Sequence, residues 1–244
     1  MTSLVSTKEV EIELDAGAHM PAHAFLHVGA QRGIVVLHEV FGMQPEILRA
    51  GERIAEQGYA VVVPDLFAGG ARIACLARVL RATASGTGKP IAQIHAARAW
   101  LVANVHIEEA RVGLVGFCMG GGLALAAGRG WGAVSTNYGP VPKPDVLRGI
   151  GPVIGCYGRK DLHFRGKAKT LQKRLSALNV PHEAHVFEGV GHSFLTDGHH
   201  PVAQFLNIGM GLGEQDPVTR EEGWRRIFAF LGRHLVAAAV TTST

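Results

Sequence analysis

The sequence predicts an α/β fold with a mostly parallel central sheet, helices on both faces and an N-terminal antiparallel hairpin. Three observations carry this. Short continuous apolar runs, such as Gly33-Ile34-Val35-Val36-Leu37 and Tyr59-Ala60-Val61-Val62-Val63, read as strands covered on both faces. Segments with helical spacing alternate with them. The 32 glycines follow no repeat period and fall mostly at turns between apolar runs, as a fold of many short elements requires.

Residues 8–14 alternate charged and apolar side chains, the pattern of a strand with one wet face, and residues 20–28 form its hairpin partner. Residues 33–38 make the first buried strand. Residues 46–57 have helical spacing, with Ile47, Leu48 and Ile54 on the inner face, and residues 59–65 return as the next buried strand. Residues 66–90 break the rhythm with Gly69-Gly70 and Ser85-Gly86-Thr87-Gly88 around a short helical piece at 71–82, and are read as a candidate lid. A helix at 91–104 leads into the strand Val112-Gly113-Leu114-Val115. Strands follow at 131–138, 151–157 and 182–188, with helices at 165–177 and 219–236. No linker or internal repeat divides the chain, so residues 1–244 are expected to form one domain, with 237–244 as a frayed tail.

Composition narrows the function. With 47% hydrophobic and 18% charged residues, the chain has material for a sizeable core. The net charge of +4 is spread without a basic run, which gives no footprint for nucleic acid. No apolar run is long enough to cross a membrane, and the first 15 residues lack the apolar stretch of a signal peptide. Three widely spaced cysteines, Cys75, Cys118 and Cys156, fit neither a disulfide framework nor a C-x-x-C metal site, and a reducing cytoplasm is the expected setting. The 13 histidines form no ligand cluster: His182 and His185 face opposite sides of a strand, and His199-His200 share a loop. No metal or cofactor is expected. Gly86-Thr87-Gly88-Lys89-Pro90 lacks the first glycine and the final Ser or Thr of a phosphate-binding loop.

The chemistry gathers at strand ends. Gly116-Phe117-Cys118-Met119-Gly120 lies between an apolar strand and a small-residue helix, the strand–turn–helix setting of the nucleophile elbow of an α/β-hydrolase, with cysteine in place of serine. At the helix N-terminus the free amides and dipole favour a thiolate. Asp161 follows the strand at 151–157, and His192 follows the last strand. Nucleophile, acid and histidine thus occur in the chain order of that fold, each at a strand's carboxyl end. His192 would take the thiol proton, and Asp161 would orient the imidazole and stabilise its charged form. Glu188 and Asp197 are rival acids. Met119 N–H and Val40 N–H are the expected oxyanion donors, each worth about 3–4 kcal/mol in such sites. Phe41 and Tyr138, also after strands, are read as substrate-facing.

The elbow Gly116-Phe117-Cys118-Met119-Gly120-Gly121, the loop His38-Glu39-Val40-Phe41-Gly42, Pro64-Asp65-Leu66, the Asp161 loop and Gly191-His192-Ser193-Phe194 together resemble the dienelactone hydrolase (carboxymethylenebutenolidase) family. The resemblance spans roughly residues 11–235. It implies hydrolysis of an enol-lactone through an acyl-cysteine, with a small-molecule lactone or ester as the partner and a monomer or homodimer as the working form. It also implies that Glu39 contacts the resting thiol, where like-charge repulsion would disfavour the thiolate. The family's dienelactone enzymes carry an arginine four residues after the catalytic histidine, for the substrate carboxylate. That position is Thr196 here. A second family arginine comes from the lid, for which Arg72, Arg78 and Arg81 are available, the last two sharing a helix face.

Two other readings compete. Amidotransferase-like proteins also use a cysteine elbow, but many place histidine directly after the cysteine, where this chain has Met119. A redox-sensing or binding protein could use Cys118 as a reactive thiol, and would need no triad.

Overall fold

The computed structural model describes residues 4–68, 72–196 and 216–236, with the side chains of Arg72 and Ile73 outside that description. The stretch read as a frayed tail, 237–244, also lies outside the described residues.

The strands are β1 (Val5–Glu13), β2 (His19–His27), β3 (Gly33–Leu37), β4 (Ala60–Pro64), β5 (Val112–Phe117), β6 (Ala133–Asn137), β7 (Val153–Gly158) and β8 (His182–Phe187). They form one sheet in the order β1-β2-β4-β3-β5-β6-β7-β8. The hairpin β1–β2 is antiparallel, and β2 joins β4 antiparallel. From β4 onward every pairing is parallel. The helices are α1 (Pro45–Glu56), α2 (Arg72–Ser85), α3 (Lys89–Val105), α4 (Met119–Ala127), α5 (Lys167–Ala177) and α6 (Pro217–His234).

Alternation along the strands splits the core into two layers. Val35, Leu37, Val62 and Leu114 face one cluster, closed by Ile94, Leu123 and Leu171 from α3, α4 and α5. Ile34, Val36, Val61 and Phe117 face the other, closed by Ile47 and Ile54 of α1 and by Trp224 and Ile227 of α6. Each central strand is therefore covered twice, which is why its sequence is apolar throughout instead of alternating. β1 lies at the sheet edge, and its outer residues are exposed while Ile12 is buried, matching its charged–apolar alternation.

Within the stretch read as a lid, α2 extends to Ser85, beyond the short piece expected from sequence. Cys75, Val79 and Ala82, spaced three and four residues apart, are buried in the same cluster as Leu123. The inner face of α2 is thus core, packed against α3 and α4. Among the described residues no helix is long and apolar enough to cross a membrane.

At the β5–α4 turn the backbone approaches too closely for any side chain. A Cβ on Gly116 would lie 2.1 Å from Gly120 O, and a Cβ on Gly120 would lie 2.5 Å from Leu37 O and 2.7 Å from His38 O. Only hydrogen fits at either position. Gly120→Ala is expected to destabilise the protein by at least about 2 kcal/mol, because the clash is with backbone that no rotamer change relieves. A urea titration checks this through a lowered midpoint at unchanged slope.

Candidate active site

The parallel strands end on one side of the molecule, and the loops after β3, β5, β6, β7 and β8 supply the polar residues buried there. Cys118 sits between β5 and α4 with φ 53° and ψ −117°, a conformation that L residues rarely adopt. The strain is held by its neighbours. Cys118 N–H donates to Asn137 O at 2.9 Å, and Asn137 Nδ2 donates back to Gly116 O at 3.1 Å. Cys118 O accepts from Gly121 N–H at 3.0 Å. Because C=O and N–H point in opposite directions across a planar trans peptide, this turns Met119 N–H away from the helix. Cys118 is partly exposed, whereas Cys75 and Cys156 are buried. Burial, against the opposing Arg226 charge and with the Glu183 charge adding to it, pushes the Cys156 thiol far above its usual range, which disfavours a reactive thiolate there.

The fold brings Asp161 and His192 together. His192 Nδ1–H donates to Asp161 Oδ2 at 2.7 Å, and both side chains are essentially buried. Asp161 Oδ1 accepts from the backbone amides of His163 and Phe164 at 3.0 and 3.1 Å, so both carboxylate oxygens are engaged. The imidazole is packed between two rings: Phe164 stacks on it with centroids 5.4 Å apart, and Tyr138 meets it edge-on at 4.9 Å. Burial opposes a charge on His192. The Cys118 charge and the hydrogen bond to Asp161 outweigh it and push the imidazole up to about 10. Its Nε2 is buried, and both the charge of the Cys118 sulfur and a hydrogen bond to it favour the imidazolium. Such bonds often tighten only once substrate is bound.

Glu39 is buried beside this pair. Burial raises its pKa, against the opposing pull of the His192 charge and the Ser193 hydrogen bond, while Glu46 adds a like charge. Its Oε1 accepts from Ser193 Oγ at 3.1 Å, and it also interacts with the Tyr138 phenol. The described partners of its carboxylate are therefore Ser193 and Tyr138, and no hydrogen bond to Cys118 is among them. Burial, then the Glu39 charge, hold the Tyr138 phenol well above its usual range, so it stays a donor. Val40 and Phe41 follow on the same loop and are partly exposed. Neither Val40 N–H nor Met119 N–H is spent on another group among the described residues.

The model of the dienelactone hydrolase family matches residues 20–235. The chain belongs to this family. A carboxymethylenebutenolidase of Rhodococcus opacus is 27% identical over 242 residues, covering 89% of this chain and 87% of the relative. A carboxymethylenebutenolidase of Pseudomonas putida is 28% identical over 179 residues, covering 66% and 74%. The crystal structure of a putative dienelactone hydrolase from Klebsiella pneumoniae superposes with a TM-score of 0.76 at 21% identity, over 95% of this chain and 100% of the other, and shows the same fold. The protein is thus a hydrolase of the dienelactone hydrolase family with an α/β-hydrolase fold.

Position 196, four residues after His192, is a buried threonine. Thr196 Oγ1 donates to Ser193 O at 3.2 Å and lies 3.5 Å from Tyr138 Oη. Arg78 and Arg81 are exposed on α2. The Arg78 guanidinium donates to Cys75 Sγ, and among the described residues no contact links either arginine to Cys118, Asp161 or His192. The side chain of Arg72 and the rival acid Asp197 lie outside the described residues. Glu188 pairs with Arg159 at the surface, away from His192. Ser193, Phe164 and Asn137 were not singled out from sequence. Ser193 had a signal, since it adjoins His192, but the orienting contacts of Phe164 and Asn137 exist only after folding.

A proton on His192 stabilises the folded state, because the folded pKa lies above the ordinary value of 6.5. That stability is complete below pH 6.5 and is lost as pH rises through about 10. Asp161→Asn is expected to lower the His192 pKa and narrow this window. Imidazole NMR titration reads the first effect, and denaturant midpoints measured against pH read the second.

Proposed function

We propose that the protein hydrolyses a lactone or activated ester through an acyl-cysteine intermediate. The observation that carries this reading is Cys118 in its strained elbow, electrostatically coupled to the His192–Asp161 pair. Sγ of Cys118 attacks the substrate carbonyl as the S–H proton is held by His192. The carbonyl π-electrons move to oxygen, giving a tetrahedral oxyanion between Met119 N–H and Val40 N–H. Collapse breaks the C–O bond, and His192 gives its proton to the departing oxygen. For a lactone that oxygen stays tethered to the acyl group. Water then loses a proton to His192 and adds to the thioester, and the thiolate leaves to restore the resting site.

Asp161 fixes the proton on Nδ1, leaving Nε2 for this traffic. Glu39, buried near His192, is a carboxyl group whose charge would disfavour the thiolate before substrate arrives. Phe41 and Tyr138 are the proposed substrate-facing rings, with the α2 arginines Arg72, Arg78 and Arg81 as outer candidates. The proposed chemistry needs no carboxylate on the ester, and Thr196, whose hydroxyl is committed to Ser193 O, brings no cation to its position.

Turnover of p-nitrophenyl acetate and of dienelactone by Cys118→Ala is expected to fall at least about 1000-fold. A slow ester should leave an acyl mass on Cys118 after acid quench. Equal turnover in wild type and Cys118→Ala would overturn the reading, and peroxide-dependent mass shifts without any acyl adduct would favour a redox-sensing thiol. Glu39→Gln is expected to speed alkylation of Cys118 by iodoacetamide, followed by intact mass, and an unchanged rate would reduce Glu39 to a structural role. A substrate panel with and without a carboxylate ranks the natural class.

A further inference from the structure

His38 is buried at the end of β3, and nothing in the proposed chemistry uses it. Its two ring nitrogens have fixed and opposite roles. Nδ1 lies 2.7 Å from Glu39 O, and a carbonyl only accepts, so Nδ1 carries the proton. Nε2 lies 3.2 Å from Leu66 N, and a backbone amide only donates, so Nε2 is the acceptor. The ring is thus the neutral Nδ1–H tautomer, and burial, which lowers its pKa, keeps it so. Phe67 packs edge-on against it at 4.8 Å, and Asp65 Oδ1 stands 4.0 Å from Nε2.

The carbonyl that His38 holds belongs to the Glu39–Val40 peptide. Gly42 N–H donates to the same oxygen at 3.1 Å, so this carbonyl has two donors. In a planar trans peptide the Val40 N–H points opposite to that carbonyl. Fixing Glu39 C=O therefore aims Val40 N–H, which has no acceptor among the described residues. Through Leu66 the ring also ties this peptide to the loop after β4, a second rigid strand end.

We infer that His38 is a positioning residue that aims the Val40 oxyanion donor by clamping the Glu39 carbonyl to the Leu66 amide. This rests on the oxyanion role proposed for Val40. Two rates on the same sulfur separate aiming from general damage. Acylation by p-nitrophenyl acetate builds an oxyanion, whereas alkylation by iodoacetamide needs the Cys118–His192 pair but no oxyanion hole.

His38→Leu is expected to slow acylation about 10- to 100-fold, through kcat with KM little changed, while alkylation stays within about two-fold. His38→Gln, whose carboxamide offers one donor and one acceptor to the same two partners, is expected to recover most of the loss. The inference is overturned if His38→Leu acylates like wild type, if alkylation falls in step with acylation, or if His38→Gln is as slow as His38→Leu. His38→Met stands in should His38→Leu not fold, and failure of both to fold would make His38 a folding residue and end the proposal. Equal turnover in wild type and Cys118→Ala would instead remove the acyl-cysteine reading itself, a result that no His38 variant can mimic.

Discussion

The arrangement of this site depends on one backbone contact, the approach of the first turn of α4 to the end of β3. Gly120 lies so close to Leu37 and His38 that no side chain could stand there, and Gly116 lies equally close to Gly120. This closeness has three effects at once. It forces Cys118 into a positive-φ turn that presents the side chain above the sheet. It directs Met119 N–H away from the helix, since Cys118 O is taken by Gly121. It also brings the loop after β3, with His38, Glu39 and Val40, alongside the thiol. A wider turn would relieve the strain and separate these groups.

Around that contact, the site solves the problem of holding charge away from water. His192 and Asp161 are buried, which by itself disfavours an imidazolium. The pairing reverses this, because Asp161 accepts one ring N–H while two backbone amides fill its other oxygen. Removing any one partner would leave a buried charge uncompensated, which is costlier than the bond itself. Phe164 and Tyr138 cover the two sides of the imidazole, fixing its plane and excluding solvent. Glu39 is held differently. Its hydrogen-bond partners are hydroxyls, and burial raises its pKa against the pull of the His192 charge.

His38 and Tyr138 are buried as deeply as Asp161 and His192. His38 joins the loops after β3 and β4, and Tyr138, itself at φ 42°, links the loop after β6 to Glu39 and Thr196. The strand-end loops are thereby cross-tied by side chains as well as by the sheet below them. Thr196 belongs to the same web, and its hydroxyl is committed to Ser193 O.

Much of this was legible in the residues alone. Continuous apolar runs identify doubly covered strands because no polar side chain survives between two helical layers. Glycine at 116 and 120 around Cys118 identifies the elbow because only hydrogen fits there, and Asp161 and His192 are identified by following a strand. Local chemistry determines such features, so local sequence reports them. The tertiary structure decided the rest. The inner face of α2 proved to be core, since Cys75, Val79 and Ala82 need a partner surface that only α4 and α3 provide. The tautomer of His38, the rings around His192 and the hydroxyl partners of Glu39 depend on residues far apart in the chain, Glu39 and Ser193 among them. No spacing rule encodes those meetings, because they are set by strand order and by the distance at which β3 and α4 come to rest.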